Sequence, residues 1–368
     1  MTVSGRARIY RRGPAGNQVS PIRKFLITSL RLLATAGLLW ALAARVDLSR
    51  AAQIMGHASL PLLAAALVAM LAGNLITGVR WHIILSAEAP SPGPGALLKI
   101  VLVGLFFNQV LPTGIGGDAV RAWRCLKLGI GLGAAVRSIL LDRACGYLVL
   151  VALYAASLPI LLQVLPDARQ RDGVVAVFAA ALLALFGLVL LDQLPRRILR
   201  HRAIAPLAEL SRASRRLFAH PRRCSAVLGL SVCTIGLTIL GFKLVGDAVG
   251  SRLSLESWAM IVPPVSLIQL LPVSLAGWGV REVVLVVALA SFGIPAEAAL
   301  ATSVLMGLCL VIVGLPGGLI WLADWDIAPA GGPGVGSDRM SFSDSAMVPD
   351  RVPDQTSGRV SNQERGHG

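Results

Sequence analysis

The chain is short of charge, and shortest of acid. Only 14% of its 368 residues are charged, and 34 Lys and Arg stand against 19 Asp and Glu. A soluble domain usually carries about 25% charged residues, so the composition excludes an ordinary water-facing surface. Cysteine is scarce. Cys125, Cys145, Cys224, Cys233 and Cys309 show no close pair and no metal-ligand spacing. They read as small apolar residues in a reducing or lipidic setting, with no metal site. His57, His82, His201 and His220 show no ligand spacing either. No G-x-x-x-x-G-K-[ST] loop is present, which argues against an ATP-driven pump. Ser274 stands near Arg281 but has no base placed to activate it. The sequence thus carries no enzyme signature and calls for no cofactor.

Hydrophobic residues make up 55% of the chain. Several runs reach the roughly 20 residues needed to cross a bilayer. Six crossings are expected, at about 25–46, 60–79, 138–162, 173–191, 226–245 and 298–323. Two apolar segments are too short: 96–111, which ends at Pro112, and 258–271, which ends at Pro272. Residues 47–59 read as a short amphipathic element at the interface. Arg11-Arg12 and Ala41-Leu42-Ala43 give the N-terminus some likeness to a secretory leader, but its long polar start favours an uncleaved first helix.

The net charge of +15 invites a nucleic-acid reading, and its distribution argues against one. Residues 1–24 hold six basic residues and no acid, and residues 192–223 hold nine Arg against Asp192 and Glu209. Both lie beside apolar segments, where basic excess keeps a loop in the cytoplasm and favours anionic lipid. An even number of crossings must then separate them, which follows if 96–111 re-enters rather than crosses. Domain organisation is read as a basic cytoplasmic N-terminus (1–24), a membrane domain (25–325) and a disordered polar tail (326–368). Within the membrane domain, one half covers about 60–191 and the other about 224–325, joined by the Arg-rich cytoplasmic loop 192–223. That loop is expected to include an interfacial helix.

Two stretches about 160 residues apart repeat one pattern: Gln109, Leu111, Pro112 and Arg121 stand beside Gln269, Leu271, Pro272 and Arg281. Each is a Pro break, a Gly-rich turn (Gly116 and Gly117; Gly277 and Gly279) and an Arg. Such breaks free polar backbone at membrane depth, which lipid tolerates only where protein buries it or a wet cavity receives it. Paired interrupted segments in two halves point to a transporter's binding site. The expected fold is all-α: a polytopic membrane helix bundle with two re-entrant broken-helix hairpins in an inverted repeat.

The blocks NQVLPTGIGGDAVRAWRCLKLG, SILLDRACGYLVL and LPVSLAGWGVREVVLVVAL resemble the lysylphosphatidylglycerol synthase transmembrane (flippase-like) family over about residues 25–323. Asn108, Pro112, Gly117, Asp118 and Arg121 carry the first block, Leu141, Asp142 and Arg143 the second, and Pro272, Ser274, Gly277, Gly279, Arg281 and Glu282 the third. The resemblance implies a stand-alone membrane domain without the aminoacyltransferase domain of two-domain members. It implies an inner-membrane protein with both termini cytoplasmic that moves or presents a polar or anionic lipid, such as a modified phospholipid or a polyprenyl-linked or hopanoid-type lipid. A non-transporting partner or scaffold of a lipid-biosynthetic enzyme is the alternative, and a membrane-embedded transferase the third reading.

Moving a headgroup through hydrocarbon needs charge compensation. Arg121 and Arg281 suit a phosphate because a guanidinium stays protonated and grips with two parallel hydrogen bonds. Asn108, Gln109, Asp118, Gln269 and Glu282 complete the candidate binding set, with Asp142 and Arg143 as a second tier. A purely structural reading stays open for the charged members: Arg121 pairs with Asp118, Arg143 with Asp142 or another acid, and Glu282 with Arg281. Pro112, Gly116, Gly117, Pro272, Gly277 and Gly279 are read as hairpin structure. Trp81, Trp123 and Trp258 are read as interface anchors.

Overall fold

Residues 21–44, 46–111, 116–165, 167–190, 205–269 and 278–323 are described by a computed structural model. Among them every regular element is a helix: α1 (Pro21–Ala43), α2 (Leu48–Gly56), α3 (Leu60–Leu85), α4 (Pro94–Val110), α5 (Gly116–Lys127), α6 (Leu132–Val164), α7 (Ala168–Leu190), α8 (Ala205–Phe218), α9 (Pro221–Ala248), α10 (Leu255–Ile268), α11 (Val280–Ala290) and α12 (Ala296–Ala323). Proline opens α4 and α9, where its missing N–H is no loss. Asp47 caps α2 by accepting from the Ser49 and Arg50 amides, and the Ser49 hydroxyl holds its carboxyl below the usual carboxylate range.

Helices α3, α6, α7, α9 and α12 are long and apolar enough to cross a membrane. At about 1.5 Å per residue each reaches or exceeds the roughly 30 Å hydrocarbon layer. They coincide with five of the six expected crossings. α4 and α10 are apolar but short, at 17 and 14 residues. Large apolar side chains such as Trp40, Leu60, Val68, Leu183 and Leu319 point outward, as they do when the surrounding solvent is lipid.

The internal repeat is visible in how the helices pack. α3 packs on α9. α4 packs on α12 as α10 packs on α6; α5 packs on α6 as α11 packs on α12; and α2 lies on α12 as α8 lies on α6. The α3–α9 pair is antiparallel: the Ser59 amide donates to the Ala248 carbonyl, Met70 lies beside Gly241, Gly73 beside Leu237, and Arg80 beside Ser231. Equivalent helices that meet antiparallel make the repeat an inverted one.

Each short apolar helix folds back on its successor. α4 and α5 approach until Gly117 meets the Gly104 carbonyl and the Asn108 side chain. Only a residue without a Cβ allows that approach. α10 and α11 form the matching pair, and α11 begins at Gly279, whose φ of 87° is the left-handed conformation that glycine adopts at little cost. Pro112, Pro272 and Gly277 lie outside the described residues.

Two expectations are corrected. Trp81 and Trp258 are fully buried, not anchors at the interface. Trp81 donates its Nε1–H to Ser138, and Trp258 packs against Phe242 in the core between α9 and α10. Trp123 is 41% exposed and packs against Trp321, the two rings tilted by 44°. The helix expected in the Arg-rich loop is α8. Its Leu210, Ala213 and Leu217 pack on Ile84, Leu141 and Val227, and Glu88, almost fully buried, accepts from both Arg216 and Arg137.

Candidate functional site

A cavity of about 270 Å³ opens between α3, α4, α5, α6, α9 and α10. Arg80 at the end of α3, Arg121 on α5, and Asp142 and Arg143 on α6 reach its wall. Charge at this depth is tolerated only when paired, and the pairing is specific. Asp142, 1% exposed, accepts from Arg80 Nε at 2.8 Å and from Arg121 Nη2 at 3.5 Å. Asp118 lies behind the wall and takes both Arg143 Nη2 at 3.0 Å and Arg143 Nε at 3.2 Å, with Arg121 Nη1 at 3.3 Å. Arg80 also donates to Ser231 Oγ at 3.0 Å, tying α3 to α9.

Arg121 is the least committed of the three cations. Each of its acids has a closer arginine: Arg143 for Asp118 and Arg80 for Asp142. Its guanidinium rests on the Trp81 ring, with Cζ 4.2 Å from the ring centre, which fixes its position without using its donors. Its Nε–H is buried and has no acceptor among the described residues. Three guanidiniums face two carboxylates here, leaving one positive charge in excess.

The second Arg is arranged differently. Glu282 sits in the first turn of α11, accepts from the Gly279 amide and thereby caps its own helix. It also takes Arg281 Nη2 at 2.7 Å and the Ser303 hydroxyl at 3.1 Å. Arg281 donates to Ser303 on α12 at 3.1 Å, just as Arg121 reaches Asp142 on α6. The repeat is therefore geometric but not electrostatic: in the second half a neighbouring acid neutralises the Arg, and neither residue is in the cavity wall.

The other sequence candidates divide. Asn108 lines the cavity, and its Oδ1 accepts the Gly117 amide at 2.9 Å, satisfying a donor at the start of α5. Gln109 packs toward Gly314 of α12, and Gln269 donates to the Val265 carbonyl at the end of α10; neither is part of the wall. Arg80 was missed as a site residue because it reads as the polar stop of a crossing. The available signal was a polar stripe, Asn74, Thr77 and Arg80–Trp81, at helical spacing in an otherwise apolar helix.

Five helices among the described residues that are long and apolar enough to cross a membrane, an inverted repeat and a charged cavity between its halves define a multi-pass helical membrane protein with a buried polar site. Residues 27–318 match the model of the family described as lysylphosphatidylglycerol synthase TM region, and the chain belongs to that family. This ties it to membrane-lipid chemistry. Comparison with curated proteins gives no significant match.

Proposed function

We propose that this protein binds a membrane lipid with an anionic headgroup in the α3–α6 cavity and passes it across the plasma (inner) membrane without chemical conversion. The observation that carries the reading is the excess guanidinium: Arg121, buried, braced on Trp81 and only loosely paired, is a cation awaiting an anion. A phosphate there would balance the site's charge and occupy donors that Asp118 and Asp142 hold only at long range. The inverted repeat supplies two equivalent halves that can exchange access around one central site.

Purified protein in liposomes carrying dye-labelled phosphatidylglycerol should expose inner-leaflet dye to an impermeant quencher, and dye-labelled phosphatidylcholine should be exposed far more slowly. Equal rates for the two lipids, or none above empty liposomes, would refute the reading. Binding without movement would favour the scaffold alternative. Arg121→Gln leaves each acid one arginine, so the protein should still fold. A charge-assisted hydrogen bond is worth about 1.5–3 kcal/mol, and 1.4 kcal/mol is about tenfold. Phosphatidylglycerol transport should therefore fall about tenfold in Arg121→Lys, which keeps the charge but not the fork, and further in Arg121→Gln. Wild-type rates in Arg121→Gln would remove Arg121 from the site.

The proposed orientation puts the basic N-terminus, the C-terminal tail and α8 in the cytoplasm. In a variant with its native cysteines replaced, Ala219→Cys should react with an impermeant thiol reagent only from the cytoplasm, and Arg169→Cys only from outside. Labelling of position 219 from outside would overturn the arrangement.

A further inference from the structure

Beyond Arg80, the cavity wall formed by α3 and α9 has a different chemistry. α3 contributes Asn74 and Thr77, and α9 contributes Thr234 and Thr238. Three and four residues apart, each pair shares one helix face. Because α3 and α9 are antiparallel, with Gly73 against Leu237 and the Thr234 carbonyl, the two pairs meet at the same depth.

The hydroxyl protons on this wall are already committed. Thr77 donates to the Gly73 carbonyl at 3.0 Å, Thr234 to Leu230 at 2.9 Å and Thr238 to Thr234 at 3.0 Å. These are bonds back along the helix, four residues earlier in each case. A hydroxyl has one donor and two acceptor lone pairs, so each of the three presents only lone pairs to a ligand. Asn74 donates to the Met70 carbonyl at 2.8 Å, keeping one N–H and its oxygen. One turn from Thr234, Ser231 shows the same arrangement in use: its hydroxyl donates to Val227 at 2.8 Å and accepts from Arg80 at 3.0 Å. Arg80 on α3 already spends donors on Asp142 and Ser231, so the cavity's uncommitted donor is Arg121 on α5 and its surplus acceptors are the hydroxyls of α3 and α9.

We infer that Thr77, Thr234 and Thr238 determine specificity by accepting hydrogen bonds from hydroxyl groups that the headgroup carries beyond its phosphate. The inference rests on the reading that the phosphate sits beside Arg121. With the anion there, the remainder of the headgroup lies against the threonines. A headgroup bearing hydroxyls satisfies those lone pairs. One with the same charge but only an alkyl group displaces water from them and gives nothing back.

The test uses two lipids of identical acyl chains and a single negative charge: phosphatidylglycerol, with two hydroxyls, and phosphatidylethanol, with none. Binding is measured by competition on the purified protein in detergent. Phosphatidylglycerol should bind about tenfold more tightly, the effect of one or two net hydrogen bonds. The triple variant Thr77→Val/Thr234→Val/Thr238→Val keeps side-chain shape and removes the lone pairs. It should lose this preference by weakening phosphatidylglycerol alone, with phosphatidylethanol unchanged. The single variant Thr234→Val should show part of the same shift. Equal affinities in the wild type, or an undiminished preference in the variants, overturn this inference while leaving the arginine site standing. Failure of both lipids to bind overturns the arginine site as well, and the inference with it.

Discussion

Asp142→Ala should abolish accumulation of folded protein. Asp142 is the shared acceptor of Arg80 and Arg121 and is almost completely buried. Its removal strands two guanidiniums in a site already one charge positive. Breaking a buried ion pair from one side costs about 3–5 kcal/mol, a large part of the roughly 5–15 kcal/mol that holds a domain folded. Arg80 has only the Ser231 hydroxyl left, and Arg121 only its long contact with Asp118. The check is thermal unfolding in detergent, followed by monodisperse yield. The double change Asp142→Leu/Arg80→Met replaces the pair with apolar groups of similar bulk and should restore most of the yield. Unfolding of Asp142→Ala at the wild-type temperature would show that the pair carries little of the fold.

Gly117→Ala should be nearly as damaging, although it adds a single methyl group. A Cβ at this position would collide with the Gly104 carbonyl and lie 2.6 Å from Asn108 Oδ1. The obstruction is backbone, which cannot rotate away as a side chain can, so α4 and α5 must separate. Separation breaks the Asn108 contact to the Gly117 amide and moves Arg121, one turn further on, away from Trp81. Lipid transport should be lost in Gly117→Ala and in Gly117→Val, with membrane insertion retained in both. Gly95→Ala, which meets open space, should behave as wild type. Normal transport by Gly117→Ala would show that the hairpin is not close-packed.

The crossing helices were legible because a 20-residue apolar run has few other uses, and both hairpins were legible because Pro and Gly break such runs conspicuously. Arg121 and Gly117 stood out for the same reason. The charge pairing was not readable. Arg80 meets an acid 62 residues away and a hydroxyl 151 residues away, and local sequence carries no trace of either. Asp142 and Arg143 are neighbours in sequence yet serve different partners, because side chains adjacent on a helix point in different directions. Arg281 and Glu282, also neighbours, do pair, because Glu282 turns back to cap the first turn of α11 and Arg281 follows it. The sequence repeat suggested equal roles for Arg121 and Arg281. Arg121 shares Asp118, three residues back, with Arg143 and Asp142, 21 residues on, with Arg80, whereas Arg281 has Glu282 next door, and this gives them different electrostatic surroundings. The buried tryptophans were misread because Trp at the end of a crossing is usually an anchor, and here Trp81 instead supports a guanidinium.

The most direct measurement is an experimental density map of the protein saturated with short-chain phosphatidylglycerol. The account expects the phosphorus peak in the α3–α6 cavity, with phosphate oxygens within hydrogen-bond reach of Arg121 and the peak absent from a map of Arg121→Gln. A cavity holding only water while lipid phosphate sits at the protein's outer surface, or a peak unchanged in Arg121→Gln, would contradict it.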